Sequence, residues 1–279
     1  MKIKEYKLSL YEKAMPDTLS LKEKILTSID LGYDSCEICI DMDPNRQERL
    51  DWTVTEIKDI KNFLSKYQIE LYTLSLSALR GHTLGSLDPE DSHQSLQMIK
   101  KALIVCNALD IKVLLINTYD VYYQESTQET QRMFCRNLQR AVKLAEKYKV
   151  IIGLENAEKP FGDTAEKVLE WIKLLRSDYL KIYYDFANAY NAFNGHADLV
   201  VSDYEVAKEH VVAAHLKDSL PGEYRMVSYG KGYVDFDKMI PLLLQNNVQY
   251  YTAELFLKNE DNWREEAIQV KHFLNSFLT

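Results

Sequence analysis

Glycine and proline are scarce in this chain, at 9 and 6 of 279 residues. No Ser/Gly-rich stretch, charge block or low-complexity tract interrupts it, so nothing marks a linker and residues 1–279 read as a single domain. No apolar run approaches the ~20 residues that a membrane span needs. The opening Met1-Lys2-Ile3-Lys4-Glu5 turns polar at once and lacks the apolar core of a signal peptide. Positive charge is also short: 34 Lys and Arg against 42 Asp and Glu give a net charge of −8. A broad phosphate-gripping face is therefore not written into the composition, which argues against nucleic acid as a partner. Together these absences describe a cytoplasmic protein with no membrane contact.

Cysteine is limited to four residues. Two of them form Cys36-Glu37-Ile38-Cys39, a spacing used by redox and zinc sites. The motif sits in a strand-like apolar run, and strand residues three apart face opposite sides, so the sulfurs cannot share a metal. Packing as small buried hydrophobes is the reading. Nothing suggests disulfides.

What is present is apolar residue, 46% of the chain, arranged in alternation. Short runs rich in β-branched and aromatic side chains occupy 6–10, 36–40, 70–76, 112–117, 150–155, 181–185, 211–215 and 249–255. Their near-continuous apolar character suits parallel strands buried on both faces. Helical patterns lie between them. Thr53-Val54-Thr55-Glu56 and Asp163-Thr164-Ala165-Glu166 have the form of capping boxes, and Asn262-Trp263-Arg264-Glu265 opens a last helix. Apolar stripes run through Leu96, Ile99, Leu103 and Cys106, and through Phe134, Leu138, Ala141, Ala145 and Tyr148. The helix after Asp235 is the least regular, because Pro241 lies too deep for a first-turn proline. Eight strand–helix units are the count of a closed (β/α)8 TIM barrel. An open dinucleotide-binding sheet would want G-x-G-x-x-G after its first strand, where this chain has Tyr11-Glu12-Lys13-Ala14-Met15-Pro16.

Barrel active sites lie at the C-terminal ends of the strands. The last four predicted strands end in Glu155, Asp185, His215 and Glu254. Three carboxylates and an imidazole converging on one rim repel one another unless a cation joins them. An oxygen-rich set with one nitrogen suits Mn²⁺, Mg²⁺, Co²⁺ or Zn²⁺.

Five segments carry a resemblance: Leu10-Tyr11-Glu12-Lys13-Ala14-Met15-Pro16, Arg49-Leu50-Asp51-Trp52, Tyr119-Asp120-Val121-Tyr122-Tyr123-Gln124-Glu125, His215-Leu216-Lys217-Asp218 and Tyr229-Gly230-Lys231-Gly232-Tyr233-Val234-Asp235-Phe236. In these the chain resembles the bacterial L-xylulose-5-phosphate 3-epimerases, also called L-ribulose-5-phosphate 3-epimerases. The resemblance implies a metal-dependent barrel of the xylose-isomerase-like superfamily acting in L-ascorbate catabolism, with Glu155, Asp185, His215 and Glu254 as ligands of one divalent ion. Where the family typically has His-Arg, this chain has Leu79-Arg80, with a histidine displaced to His82.

The residues themselves suit C3 epimerisation of a 2-ketose. A base must take a carbon-bound proton and an acid on the opposite face must return one, and Glu155 and Glu254 end strands three apart around the ring. A phosphate would be gripped by the seventh loop, with Lys217, Arg225 and the Gly230-Lys231-Gly232 turn, and Lys13 is a second cation for it. Glu158 and Asn188 stand one step beyond ligand-bearing strand ends and could hold sugar hydroxyls. The expected partner is a small ketose phosphate, with self-association into a homo-oligomer, a dimer first. The alternatives are a 1,2-ketose isomerase or an epimerase of unphosphorylated ketoses. The superfamily's abasic-site endonuclease type needs a three-metal, histidine-rich cluster, and of the six histidines here only His215 closes a strand.

Overall fold

The eight apolar runs and the helices between them set the chain's path in a computed structural model that describes residues 6–278. The polar segment Met1–Glu5 lies outside the described residues. In order, the elements are β1 (Lys7–Tyr11), α1 (Leu21–Asp30), β2 (Ser35–Cys39), α2 (Pro44–Gln47), α3 (Val54–Tyr67), β3 (Thr73–Ser75) and α4 (Pro89–Ala108). Then follow β4 (Val113–Asn117), α5 (Gln128–Tyr148), β5 (Ile151–Glu155), α6 (Ala165–Leu175), β6 (Leu180–Asp185), α7 (Phe186–Ala192) and α8 (Ala197–Ala207). The chain ends with β7 (Val211–Leu216), α9 (Phe236–Gln245), β8 (Tyr250–Ala253) and α10 (Trp263–Leu278). All eight strands are parallel and pair in sequence order, β8 closing on β1. Among the described residues no helix is long and apolar enough to cross a membrane.

Strand alternation divides the apolar residues between two cores. On β4, Leu114 and Ile116 face the helices and join the large outer core. Val113 and Leu115 face inward with Tyr183 and Ala213. Gly153 makes room there: a Cβ on it would lie 2.9 Å from Val113 Cγ1 and 3.1 Å from Tyr183 Cβ. The outer core includes Phe134 on α5, edge-to-face with Phe161 and Trp171 at 4.9 and 5.2 Å. Truncating such a ring to alanine costs about 3–5 kcal/mol. Cys36 and Cys39 are buried and free, as the packing reading requires.

The helix signals hold with two adjustments. Thr53 and Glu56 form the capping box that starts α3. For α6 the cap is Thr164, one residue later than the expected Asp163. The cause is distant in sequence: Asp203 on α8 accepts from the Ala165 and Glu166 amides at 2.8 and 2.9 Å, while Asp163 pairs with Lys167. α9 runs through Pro241, and its buried face of Phe236, Met239, Ile240 and Leu243 offsets the missing amide bond. Scarce glycine shows at the helix ends, where Gln68, Lys149 and Arg176 take the left-handed conformation that glycine usually supplies.

Candidate active site

Register places the polar strand ends side by side. Asn117 pairs with Glu155, Asp185 with His215, and His215 with Thr252. Glu254 is the first residue past β8, held by its amide to the Leu216 carbonyl at 3.0 Å. One donor atom each from Glu155, Asp185, His215 and Glu254 lies within 4.8 Å of the others. His215 Nδ1 is 2.7 Å from Glu155 Oε1 and 3.5 Å from Glu254 Oε2.

Three of these residues, Asp185, Glu155 and His215, are held from outside the cluster. The Asp185 amide donates to Asn156 Oδ1 at 2.8 Å, and Asn156 Nδ2 donates to the Asp185 carbonyl at 2.7 Å. Asp185 Oδ1 caps α7 by accepting from the Asn188 amide, which frees Oδ2 to face the cluster. Asn117 Nδ2 donates to Glu155 Oε2. Beneath the cluster, Glu37 on β2 contacts His215 Nε2 at 2.8 Å.

Lys217 is turned into this cluster. The pleat that points His215 inward points Leu216 out and Lys217 in again, so its ammonium sits 2.6 Å from Asp185 Oδ2 and 2.7 Å from Glu254 Oε2. It therefore faces the carboxylates and not the outer part of the seventh loop. Burial opposes its charge, but Asp185, Glu254 and Glu155 outweigh that and raise its pKa. Burial raises Glu155 to about 7 against the pull of His215, and burial likewise raises Asp185 against Lys217. Glu254 is lowered, because Lys217 and His215 outweigh its burial. The two glutamates are thus pushed apart in acidity by their surroundings.

The residues fit a divalent cation. Four carboxylates, those of Glu37, Glu155, Asp185 and Glu254, meet one imidazole and one ammonium, an excess of buried negative charge that a cation offsets. Asp185 Oδ2 is buried and accepts no well-directed hydrogen bond.

Above the cluster opens a cavity of about 170 Å³, lined among others by Lys13, Arg80, Glu158, Asn188, Arg225 and Phe256. Glu158 accepts from Arg225 at 2.8 Å and from the Tyr122 hydroxyl at 2.9 Å. Burial would raise its carboxyl, but the Arg225 guanidinium prevails and holds it at about 2. Asn188 gives its Nδ2 to the Asn156 carbonyl at 2.8 Å and keeps Oδ1 buried without a partner. Lys13 lines the rim, paired with Asp41 at 2.5 Å. Gly230 packs against the Phe273 ring and does not line the cavity. Two of the turn's amides are also engaged: Gly232 donates to Asp218 Oδ2 at 2.8 Å and Lys231 to the Ser228 carbonyl at 3.0 Å. A wider cleft of about 650 Å³ lies by Lys7, Tyr72 and Lys112, at the starts of the strands, the end of a barrel that serves stability.

Three residues escaped the sequence reading. Asn117 ends β4 as Glu155 ends β5, so the strand-end rule applied one strand earlier finds it. Arg80 reaches the cavity from the turn after β3, its guanidinium 5.0 Å over the Tyr122 ring and its buried Nε without a partner. Glu37 is a lone acid in an apolar strand, a signal that it must be paired inside the barrel. At the position of the family histidine, Leu79 is buried, and His82 instead bonds Asp91 at 2.5 Å.

A closed (β/α)8 barrel with a Glu–Asp–His–Glu cluster at the C-terminal mouth defines a class of barrel enzymes with a possible metal site. The chain belongs to the xylose isomerase-like TIM barrel family, which matches residues 28–274, and within it to the isomerase-class branch of the L-ribulose-5-phosphate 3-epimerases. It is 31% identical over 238 residues to a probable L-ribulose-5-phosphate 3-epimerase of Mycoplasma pneumoniae, covering 85% of this chain and 77% of that one. It is 30% identical over 274 residues to the L-ribulose-5-phosphate 3-epimerase of Escherichia coli strain SMS-3-5, covering 98% and 95%. Among solved structures, D-psicose 3-epimerase from Clostridium cellulolyticum H10 with D-tagatose superposes with a TM-score of 0.81 at 16% identity, covering 98% of this chain and 99% of that one. An L-ribulose 3-epimerase superposes at 0.79 and 14%, covering 98% and 94%. At these identities the structural matches speak for the fold.

Proposed function

We propose that the protein is a divalent-cation-dependent 3-epimerase interconverting L-ribulose 5-phosphate and L-xylulose 5-phosphate, a step of L-ascorbate or pentose catabolism. The observation that carries this reading is the pair Glu155 and Glu254, both within reach of His215 Nδ1, in a mouth that also gathers Lys13, Arg80 and Arg225. The sequence similarity to proteins named for this reaction supports the same substrate.

Glu155, Asp185, His215 and Glu254 would hold one Mn²⁺, Mg²⁺, Co²⁺ or Zn²⁺ ion, which when bound supplies Lewis-acid polarisation of the ketose oxygens. The proton work falls to the chain. One glutamate takes the C3 proton, and the C–H electron pair forms the C2–C3 double bond of an enediolate as charge moves to O2. The other glutamate delivers a proton to the opposite face of C3, and the carbonyl reforms. Each acid serves as base in one direction and acid in the other, which the reversible reaction requires. Asn117 keeps the Glu155 carboxylate oriented, and the unpartnered Asn188 Oδ1 is placed to accept from a sugar hydroxyl. Glu158 holds Arg225 at the cavity wall and, through its remaining acceptor capacity, can take a second hydroxyl.

The phosphate falls to Arg225, Arg80 and Lys13. Lys217 balances the carboxylates, and Gly230, with a φ of 74°, shapes the seventh-loop turn against Phe273. The test is direct: chelator-stripped protein and Mn²⁺-loaded protein are each incubated with L-ribulose 5-phosphate and followed by ¹³C NMR. Formation of the xylulose epimer only with metal supports the reading. No epimer with any of the four metals overturns it.

A further inference from the structure

We propose that Glu37 is a positioning residue that holds the His215 imidazole with its proton on Nε2 and its Nδ1 free to face the metal site. The inference rests on the metal site proposed above. It concerns a residue outside the mouth, fully buried in the barrel interior.

The contacts around Glu37 come from four strands. Oε2 accepts from the Tyr183 hydroxyl at 2.7 Å, from Thr73 Oγ1 at 2.5 Å and from Thr252 Oγ1 at 3.1 Å. Oε1 is left for His215 Nε2, at 2.8 Å. Tyr183 sits on β6, opposite β2 in the ring, so it spans the barrel to reach this carboxylate, and Gly153 leaves the space it crosses. Burying a carboxylate is costly unless its acceptor sites are filled by donors. Here three hydroxyls and one imidazole fill them, from β3, β6, β8 and β7.

A carboxylate only accepts, so a nitrogen facing one must carry a hydrogen, and without a cation both ring nitrogens do: Nε2 faces Glu37 Oε1 at 2.8 Å and Nδ1 faces Glu155 Oε1 at 2.7 Å. A divalent ion among the four ligands would take the place of the hydrogen on Nδ1 and leave the one on Nε2. With Nε2–H spent on Glu37, the lone pair available for a cation is on Nδ1. That atom points at Glu155 and Glu254, 2.7 and 3.5 Å away. Fixing ring orientation and tautomer through the far nitrogen is what outer carboxylates do for metal-binding histidines, and their loss typically costs about 10–100-fold in metal affinity. Glu37 also explains why an acid stands between two cysteines in an otherwise apolar strand.

Glu37→Gln keeps the shape but presents either an NH₂ group to Nε2 or an NH₂ group to three hydroxyls. The first choice drives the imidazole proton to Nδ1, where it blocks the metal. Two measurements test this. Calorimetric titration of chelator-stripped protein with Mn²⁺ should show affinity about 10–100-fold weaker in Glu37→Gln than in the wild type. In the wild-type protein loaded with diamagnetic Zn²⁺ and labelled with ¹⁵N-histidine, NMR should show His215 protonated on Nε2, with an exchange-protected N–H. This second readout needs no variant, so it decides the matter even if Glu37→Gln fails to fold. A proton on Nδ1, or metal on Nε2, overturns the proposal, as does equal Mn²⁺ affinity in a folded Glu37→Gln. A wild-type protein that binds neither Mn²⁺ nor Zn²⁺ overturns the metal site itself and this inference with it, a result distinct from a metal site that ignores Glu37.

Discussion

Glu155 and Glu254, brought together from β5 and from the first residue past β8, flank a single atom, His215 Nδ1, at 2.7 and 3.5 Å. Their surroundings divide them: burial raises Glu155 to about 7, whereas Lys217 and His215 outweigh burial and lower Glu254. Inversion at C3 needs a proton taken from one face and returned to the other, so both should be indispensable. Glu155→Gln and Glu254→Gln should each lose about 10²–10⁴-fold in epimerisation. Metal content is measured alongside, because glutamine can still coordinate through its carbonyl oxygen. Each variant should retain C3 proton exchange for one epimer only. Near-normal epimerisation in either metal-loaded variant contradicts the two-glutamate mechanism.

Phosphate recognition predicts a split between substrates. Arg225→Ala and Arg80→Met should raise KM for the phosphorylated ketose far more than for the same ketose without phosphate. Arg225→Ala also strips Glu158 of its 2.8 Å partner, so Arg80→Met, which breaks no carboxylate ion pair among the described residues, is the cleaner of the two. Equal changes for both sugars would remove these arginines from the phosphate site.

Lys217 bridges Asp185 and Glu254 at 2.6 and 2.7 Å. Lys217→Met leaves those buried acids without their ammonium, and breaking such a pair costs about 3–5 kcal/mol. The metal-free variant should unfold at lower denaturant than the wild type, and added Mn²⁺ should stabilise it more than it stabilises the wild type. Equal metal-free stability would mean that Lys217 balances nothing.

Asp203 gives a pH signature away from the site. Burial raises its carboxyl to about 6, although the Glu166 and Ala165 amides pull it down. Its folded pKa therefore lies above the unfolded value of about 3.9. Between those values the native state binds the extra proton, so this contribution is full below about pH 4 and is lost as pH rises through about 6. Relative to Asp203→Asn, the wild type should lose up to about 3 kcal/mol between pH 4 and pH 7.5, read by urea unfolding at each pH. A constant difference across that range contradicts the assignment.

Much of this site was legible because parallel strands announce their own ends. Glu155 and Asp185 close strands and His215 falls one residue short of the end of β7, so position alone brought them together. Glu254 lies just past β8, close enough for the same rule. Lys217 does follow β7 and line the cavity, but its pairing with Asp185 and Glu254 was not legible, because its direction depends on where β7 stops, and a strand one residue longer than read keeps the inward alternation going. Asp203, which accepts from the first two amides of α6 beside its Thr164 cap, could not be read at all, since it comes from another helix. The same holds for Asp218, which takes the Gly232 amide that the turn would offer to an anion. Glu37 was visible as an acid in an apolar strand, but its partners come from β3, β6, β7 and β8, and only closure of the ring reveals them.

The central claim is proton transfer at C3, and the position of isotope incorporation tests it most directly. The Mn²⁺-loaded protein is incubated with L-ribulose 5-phosphate in D₂O and the recovered ketose phosphates are read by ¹H and ¹³C NMR. The account predicts deuterium at C3 of L-xylulose 5-phosphate and no label at C1. Deuterium at C1, or an aldose product, would instead mark a 1,2-isomerase and contradict it.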